Sequence, residues 1–226
     1  LFLSTRHSVL STKNSMNRQP QKILVVTGEA SGDHHGALVI RALRQIAPSV
    51  QVTGIGGDEL AREGLRLLLH SRELAVLGLS EVLWRAGKVL GAYRILKKEI
   101  LKKPSLLMLI DYPEFNLRIA ALARKHNVPV FYYISPQLWA WRQGRAKKIA
   151  RLVNRMAVIF PFEVQFYEKF GLDARFVGHP LLDQDVRLQS RSEALQTLHL
   201  AEQRPIIGLL PGSRQNEIKR LFEPML

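Results

Sequence analysis

Short apolar runs recur along the chain, and helical patterns separate them. Two of the helical segments end just before Pro48 and Pro104, as expected because proline cannot continue a helix. This alternation predicts an α/β fold built on a doubly wound parallel sheet. The runs that we predict to be buried parallel strands are ILVVT (23–27), VTGIG (52–56), SLLMLID (105–111), VPVFYYI (128–134), RMAVIF (155–160), ARFVG (174–178) and PIIGLLP (205–211).

The pattern divides the chain into three predicted parts. Residues 1–21 are expected to be a leader that is either disordered or a non-native start. We favour Met16 as the true start, with residues 1–15 upstream of it, over an organelle transit peptide. Residues 22–187 form a Rossmann-like domain. Residues 188–226 form a linker with a short helix, followed by the first strand–turn–helix unit of a second domain that we expect to be truncated.

The composition restricts the chemistry. The 226 residues include no cysteine, which excludes disulfides, thiolate metal sites and cysteine nucleophiles. The formal net charge is +14, and the cations concentrate in residues 1–28, 88–103 and 142–155. Basic patches of this kind indicate a polyanionic partner: nucleic acid, anionic lipid or a phosphorylated substrate. No apolar run is long enough to span a bilayer.

Two loops after predicted strands carry acids. In an open α/β sheet, ligands bind beyond the carboxyl ends of the strands. Asp111 follows an apolar strand, where partial desolvation would make it a better base, although it could equally close the turn. Asn116 could cap the next helix. In GEASGD (28–33), Glu29 has no evident structural task.

The remaining candidate residues in that loop have structural explanations as well as functional ones. Ser31 or Asp33 is expected to cap a helix that starts near His34. A metal site at His34 and His35 is not expected, because adjacent histidines point in different directions and no third ligand has suitable spacing.

Three further segments suggest binding surfaces. SPQLWAWRQGRAKKIARLVNR (135–155) combines tryptophans with a basic helix suited to an anionic membrane or a phosphorylated substrate, or simply to solvent. ELAVLGLSEVLW (73–84) is either buried core or an entrance for acyl chains. LLPGSRQNE (209–217) joins backbone N–H groups at a helix start to Arg214, which suits a diphosphate.

Taken together, GEASGD, ELAVLGLSEVL, IDYPEFN, YYISPQLWAWRQGR, FVGHPLLD and LLPGSRQNEI resemble the motifs of the lipid-A-disaccharide synthase family, in order and at similar spacing. The resemblance covers residues 22 to about 222. It implies a B-type glycosyltransferase, in which two Rossmann-like domains face a cleft. It also implies an inverting reaction that joins UDP-2,3-diacylglucosamine to 2,3-diacylglucosamine 1-phosphate, giving a β-1',6-linked disaccharide and UDP.

The resemblance also assigns roles to residues. Asp111 matches the general base, and Glu29 joins it as a catalytic candidate. The remaining positions fall into three groups. Acceptor contacts are expected at Ser31, Asp33, Asn116, Trp139 and Arg142; donor phosphate contacts at Gly212, Ser213 and Arg214; and acyl or membrane contacts at Leu77, Leu79, Val82, Leu83 and Trp84.

The expected partners are the two lipid-linked sugars and an anionic membrane surface, with no nucleic acid, no metal and no cofactor. The expected location is cytoplasmic and peripheral, on the inner face of a bacterial inner membrane, in preference to an organelle. Because most of the second domain is missing from the pattern, we expect this chain alone to have lost most of its UDP-sugar affinity. Two alternatives stay open: a UDP-sugar epimerase of the same architecture, and a noncatalytic module that binds anionic membranes.

Overall fold

The computed structural model describes residues 21–75, 82–136, 144–183, 189–201, 205–212 and 215–226. The chain divides into two compact units between residues 183 and 184. The predicted leader lies almost wholly outside the described residues.

The first unit contains a seven-stranded sheet in the order β3-β2-β1-β4-β5-β6-β7, and every neighbouring pair is parallel. The predicted α/β doubly wound fold is confirmed, and six of the seven predicted strands are present. The sequence patterns missed β3, a partly exposed edge strand. The strands are β1 (Lys22–Thr27), β2 (Gln51–Gly56), β3 (Arg66–His70), β4 (Leu106–Ile110), β5 (Val130–Tyr133), β6 (Arg155–Val158) and β7 (Asp173–Phe176).

Helices cover both faces of the sheet. Alternate residues of β1 point to opposite faces, so that Leu24 and Val26 join one hydrophobic cluster while Ile23 and Val25 join another. The helices of the first unit are α1 (Ala30–Ile46), α2 (Asp58–Arg62), α3 (Arg72–Ala75), α4 (Val82–Leu101), α5 (Pro113–Lys125), α6 (Gly144–Leu152), α7 (Pro161–Glu168) and a 3-10 turn (Pro180–Asp183). The cluster around Leu24 includes residues of α4, α5, α6 and α7, and the cluster around Ile23 includes residues of α1 and α2.

The second unit contains two described helices, α8 (Arg191–Thr197) and α9 (Gln215–Met225). Ser190 and Glu193 form a capping box at the start of α8, which is the short helix predicted in the linker. The strand predicted at 205–211 is wrong, since these residues form neither strand nor helix and Ile207 and Leu210 are exposed. A strand is held by hydrogen bonds to a neighbour, and within the described part of this unit none pairs with it.

Candidate active site

The two predicted catalytic acids leave the sheet side by side. β1 pairs with β2 on one side and β4 on the other, so the strand order reverses at this point, where open α/β sheets bind ligands. Thr27 is paired with Ile110 at the carboxyl ends of these strands. Glu29 and Asp111 follow within two residues, and both side chains are half-buried. The structure thus brings together two acids that are 82 positions apart in the numbering of the chain.

The turn after β4 has an unusual backbone. Asp111 and Tyr112 are consecutive non-glycine residues with φ of 46° and 48°, the left-handed region. The N–H of Asp111 donates to the carbonyl of Tyr133 at 3.2 Å. The carbonyl of Asp111 accepts two hydrogen bonds, from Tyr132 Oη at 2.6 Å and from Asn116 Nδ2 at 2.7 Å.

Asn116 does not cap α5, so that prediction is wrong. It lies inside the first turn of the helix, and its amide instead donates backward to the carbonyls of Ile110, at 3.2 Å, and Asp111. The side chain is completely buried. A direct contact between Asn116 and an acceptor sugar therefore has no support here, and the residue stabilises the turn that carries Asp111.

The acidic loop after β1 also differs from its prediction. α1 begins at Ala30 rather than near His34, so Glu29 is the N-cap residue, and both Ser31 and Asp33 lie within the first turn. The expected cap by Ser31 or Asp33 is therefore wrong. Ser31 is exposed at the edge where the strands end, which keeps it available as the predicted acceptor contact.

The side chain of Asp33 faces the start of α2. Its carboxylate accepts hydrogen bonds from the backbone N–H groups of Gly57 at 2.5 Å, Glu59 at 3.0 Å and Leu60 at 3.3 Å. These groups form the start of α2, where N–H groups lack helical partners and an anion is favourable. Asp33 is buried and caps a neighbouring helix, and this contact fixes α1 against α2.

Gly28 allows the two acidic loops to approach each other. A Cβ at this position would lie 2.3 Å from Cδ1 of Tyr112, so the tyrosine ring rests where a side chain would otherwise be. Tyr112 follows Asp111, whereas Gly28 precedes Glu29. The absence of a side chain at Gly28 thus couples the geometry of both candidate acids.

Of the two histidines after β1, His34 makes an ordinary polar contact, whereas Nδ1 of His35 is buried without a hydrogen-bond partner among the described residues. His34 Nδ1 lies 2.7 Å from Glu59 Oε2, which ties α1 again to α2. Burial, followed by the nearby His34 and His179, lowers the pKa of His35 below its usual value. Among the residues that the structure describes, no group of three or more His, Asp or Glu is placed to hold a metal ion.

The structure also contains a buried acid that was not predicted from the sequence. Glu163 in α7 is almost inaccessible; it accepts a short hydrogen bond from Ser135 Oγ and another from the N–H of Phe160 at 3.1 Å. Tyr167 donates to the carbonyl of Pro136 at 3.2 Å, and burial raises its pKa to about 12. Both contacts anchor the start of the tryptophan-rich segment. Proline at the first helical position with glutamate two residues later is the sequence signal for such an N-terminus.

Several predicted residues lie outside the described part of the chain. Gly212 is described and has a φ of 112°, which suits glycine. The first turn of α4 contains Val82, Leu83 and Trp84, whose side chains are not described. Outside the described residues altogether are Leu77, Leu79, Trp139, Arg142, Ser213 and Arg214.

One face of the sheet carries an outer layer of cations. α4 contacts α5, and α5 contacts α6, so the three helices are adjacent. Within each helix, the exposed cations recur at helical spacing and so share its outer side. They are Arg94, Lys97 and Lys98 in α4, Arg118, Arg124 and Lys125 in α5, and Lys147, Lys148 and Arg151 in α6. We call this surface the cationic face. No helix in the described ranges is long and apolar enough to cross a membrane.

A groove of about 580 Å³ lies at the amino ends of the strands, away from the candidate acids at their carboxyl ends. Lys22, Arg44, Arg66 and Lys102 form part of its lining. Arg44 lies in the last turn of α1, and its guanidinium donates to the carbonyls of Glu63 and Gly64. Lys102 directly follows the end of α4. Cations at these places offset the negative ends of helices and bind carbonyl groups, so their presence does not require a ligand.

Comparison with known proteins gives a consistent result. A family model described as lipid-A-disaccharide synthetase matches residues 23–226. The lipid-A-disaccharide synthase of Geobacter metallireducens is 50% identical over 213 residues, covering 93% of this chain and 56% of the relative. The corresponding values are 48%, 95% and 55% for Geobacter sulfurreducens, and 47%, 92% and 54% for Syntrophotalea carbinolica. The chain spans about half the length of the curated relatives that it matches.

Proposed function

The chain belongs to the lipid-A-disaccharide synthase family, and on that premise we propose that it forms the acceptor-side domain of a glycosyltransferase that makes the lipid A disaccharide. The donor is UDP-2,3-diacylglucosamine and the acceptor is 2,3-diacylglucosamine 1-phosphate. The second unit begins the part of the enzyme that binds the UDP moiety.

In the proposed reaction, the 6-hydroxyl oxygen of the acceptor attacks C1 of the donor sugar. The bond between C1 and the diphosphate oxygen breaks, its electron pair leaves with UDP, and the configuration at C1 inverts. Asp111 takes the proton from the attacking hydroxyl as general base. Glu29, from the adjacent loop, acts beside it by orienting the acceptor hydroxyl, and Ser31, Trp139 and Arg142 complete the acceptor side.

The observation that carries this proposal is the position of Asp111 and Glu29 at the reversal of strand order. Both acids are half-buried, so a sugar hydroxyl can reach them while bulk water is partly excluded. A phosphate would be repelled at this point, whereas a hydroxyl that must lose a proton is assisted. The acidic loop therefore favours a role on the acceptor side and leaves the diphosphate to the second unit.

The donor side is proposed to lie at the loop before α9. Gly212 has a φ of 112°, a conformation that glycine adopts readily and other residues rarely adopt. Ser213 and Arg214 directly precede the first residue of α9. A helix start offers unpaired N–H groups to an anion, and an arginine adds paired donors. These groups suit the departing diphosphate, whose growing charge needs stabilisation.

The test joins this chain to the C-terminal part of the Geobacter metallireducens relative and measures disaccharide formation from the two proposed substrates. Asp111→Asn keeps the shape of the side chain and removes the base, so kcat is expected to fall by roughly 10²- to 10⁴-fold. Asp173→Asn makes the same change at the amino end of β7, in an exposed ion pair with Arg155 and Arg175, and should leave kcat unchanged.

An unchanged kcat in folded Asp111→Asn would refute the assignment of the base while leaving the family reaction in place. If the parent protein makes no disaccharide but interconverts UDP-sugar epimers, the epimerase alternative replaces the proposal.

We also propose that the cationic face binds the anionic surface of the inner membrane from its cytoplasmic side. The apolar residues Leu77, Leu79, Val82, Leu83 and Trp84 would accept acyl chains there. The exposed cations on α4, α5 and α6 support the electrostatic part of this proposal, because each lysine near such a surface contributes about 1 kcal/mol to binding.

Sedimentation with phosphatidylglycerol vesicles tests the membrane proposal on the chain as it stands. Replacing Lys147 and Lys148 by Gln should weaken binding by roughly 30-fold, the equivalent of about 2 kcal/mol. The same replacement at Lys102 and Lys103, which follow α4 at the amino edge, removes equal charge and should have a much smaller effect. Equal losses in both variants would show that only net charge matters. Tighter binding to duplex DNA than to vesicles would redirect the proposal to nucleic acid.

A further inference from the structure

We propose that Tyr132 is a positioning residue, whose hydroxyl holds the backbone of Asp111 in the conformation that presents the carboxylate to the acceptor. The inference rests on the proposed function only in taking Asp111 as the base. Tyr132 lies in β5 and is the first residue of the segment YYISPQLWAWRQGR, but the resemblance assigns it no role.

The conformation that needs support is unfavourable by itself. Asp111 and Tyr112 both have positive φ, and a side chain with a Cβ is crowded there by its own backbone. Such strain persists only where surrounding contacts determine the backbone, and it concentrates at functional sites. Ile134, at the end of β5 beside this turn, also has a positive φ of 62° although it is β-branched. The carboxyl edge is thus strained on two adjacent strands.

Hydrogen bonds to the main chain of Asp111 help to hold this turn. Asp111 donates its N–H to the carbonyl of Tyr133, and its own carbonyl accepts from Tyr132 and Asn116. Tyr132 and Asn116 are both fully buried, so water does not compete for these hydrogen bonds. The bond from Tyr132, at 2.6 Å, is the shorter of the two to this carbonyl.

The hydroxyl is a permanent donor. Burial raises the pKa of Tyr132 well above its usual value, and the nearby Asp111 raises it further. The phenol therefore keeps its proton throughout the working pH range of the protein.

The sequence offers a matched control at the next position. Tyr132 belongs to the cluster that includes Leu107 and Leu109, whereas Tyr133 belongs to the cluster on the other face. Both tyrosines are buried in β5. Replacing either by Phe keeps the ring and removes one oxygen, but only the change at Tyr132 removes a hydrogen bond to Asp111.

The kinetic test uses the fusion described above, in which this chain is joined to the C-terminal part of the Geobacter metallireducens relative. Tyr132→Phe is expected to lower kcat by roughly 3- to 10-fold, the effect of one hydrogen bond, with KM unchanged. Tyr133→Phe should leave both constants unchanged. In the Asp111→Asn background, Tyr132→Phe should cause no further loss, because the group that it positions is already gone. The inference is overturned if kcat is unchanged in Tyr132→Phe, or if Tyr132→Phe costs the same factor in both backgrounds, which would indicate a general structural role.

A second measurement needs no activity and separates this inference from the proposed reaction. Hydrogen–deuterium exchange of residues 110–116 is followed in the present chain. Tyr132→Phe should accelerate exchange in this segment, and Tyr133→Phe should not. Unchanged exchange in Tyr132→Phe overturns the proposed contact even if the enzyme is active. If the fusion without substitutions makes no disaccharide, the proposed reaction fails. Accelerated exchange in Tyr132→Phe would still support the role of Tyr132 in holding the turn.

Discussion

Replacing Asp33 by Asn should destabilise the first unit although the change adds and removes almost no volume. The carboxylate accepts three hydrogen bonds, from the backbone N–H groups of Gly57, Glu59 and Leu60, and two of these bonds are 3.0 Å or shorter. An amide keeps one acceptor oxygen and turns an NH₂ group toward the remaining N–H groups. Hydrogen bonds to charged groups contribute about 1.5–3 kcal/mol each, and three that share one carboxylate do not add fully. We therefore expect a loss of about 2–4 kcal/mol in the free energy of unfolding.

Urea denaturation followed by far-UV circular dichroism measures this loss in the chain as it stands. The matched control is Asp58→Asn, at the first residue of α2, where the exposed carboxylate pairs with Arg72 at 2.6 Å and His70 at 3.3 Å. Exposed ion pairs contribute little, so the control should lose less than about 1 kcal/mol. If both variants lose equal stability, or if Asp33→Asn loses less than about 1 kcal/mol, the capping role of Asp33 is refuted.

Three other substitutions test separate parts of the fold. Gly91→Ala should stabilise the protein by about 0.5–1 kcal/mol in urea denaturation, because a Cβ there meets nothing within 4 Å and alanine favours α4; a loss would contradict the open space. Gly54→Ala should cost about 3 kcal/mol or more, because its Cβ would lie 1.8 Å from the carbonyl oxygen of Val25 on the paired strand; a near-neutral effect in the same assay would mean that β1 and β2 can separate. The pKa of His35 is lowered in the folded state, so when the pH drops below about 6.5 the unfolded chain binds this proton first. The free energy of unfolding therefore decreases as the pH is lowered. Urea midpoints at neutral and mildly acidic pH should show a smaller fall for His35→Gln than for the parent or for His126→Gln, and an unchanged fall would contradict the assignment.

The sheet was largely predictable because its strands are buried on both faces. Continuous apolar runs such as that of β4 identify such strands directly, and their alternation with helices predicts that the strands are parallel. β3 was missed because it lies at the edge of the sheet, begins with Arg66 and remains partly exposed. The run at 205–211 has the same apolar pattern as a buried strand, yet pairing depends on a neighbour that no local pattern specifies.

The proximity of the two candidate acids was predictable in the same way, since it follows from which loops come after which strands. Individual side chains were less predictable, because their directions depend on where each helix begins. A shift of the start of α1 from His34 to Ala30 moves Asp33 from the cap position into the first turn, where it reaches α2. The sequence contains the acid, but the start of α2, which it caps, lies 24 residues further along the chain.

The local sequence does not determine which of the two adjacent tyrosines, Tyr132 or Tyr133, supports the turn at Asp111. Adjacent residues of a strand face opposite sides of the sheet, so one tyrosine at most can reach a given turn from its own face. The register pairs Leu109 with Tyr132 and Ile110 with Tyr133. The carbonyl of Tyr133 therefore accepts a hydrogen bond from the N–H of Asp111, while the hydroxyl of Tyr132 donates to the carbonyl of Asp111. A slip of one residue would exchange these roles without changing the composition or the apolar pattern of β5. The register between β4 and β5, which tertiary packing determines, therefore selects which tyrosine supports the candidate base.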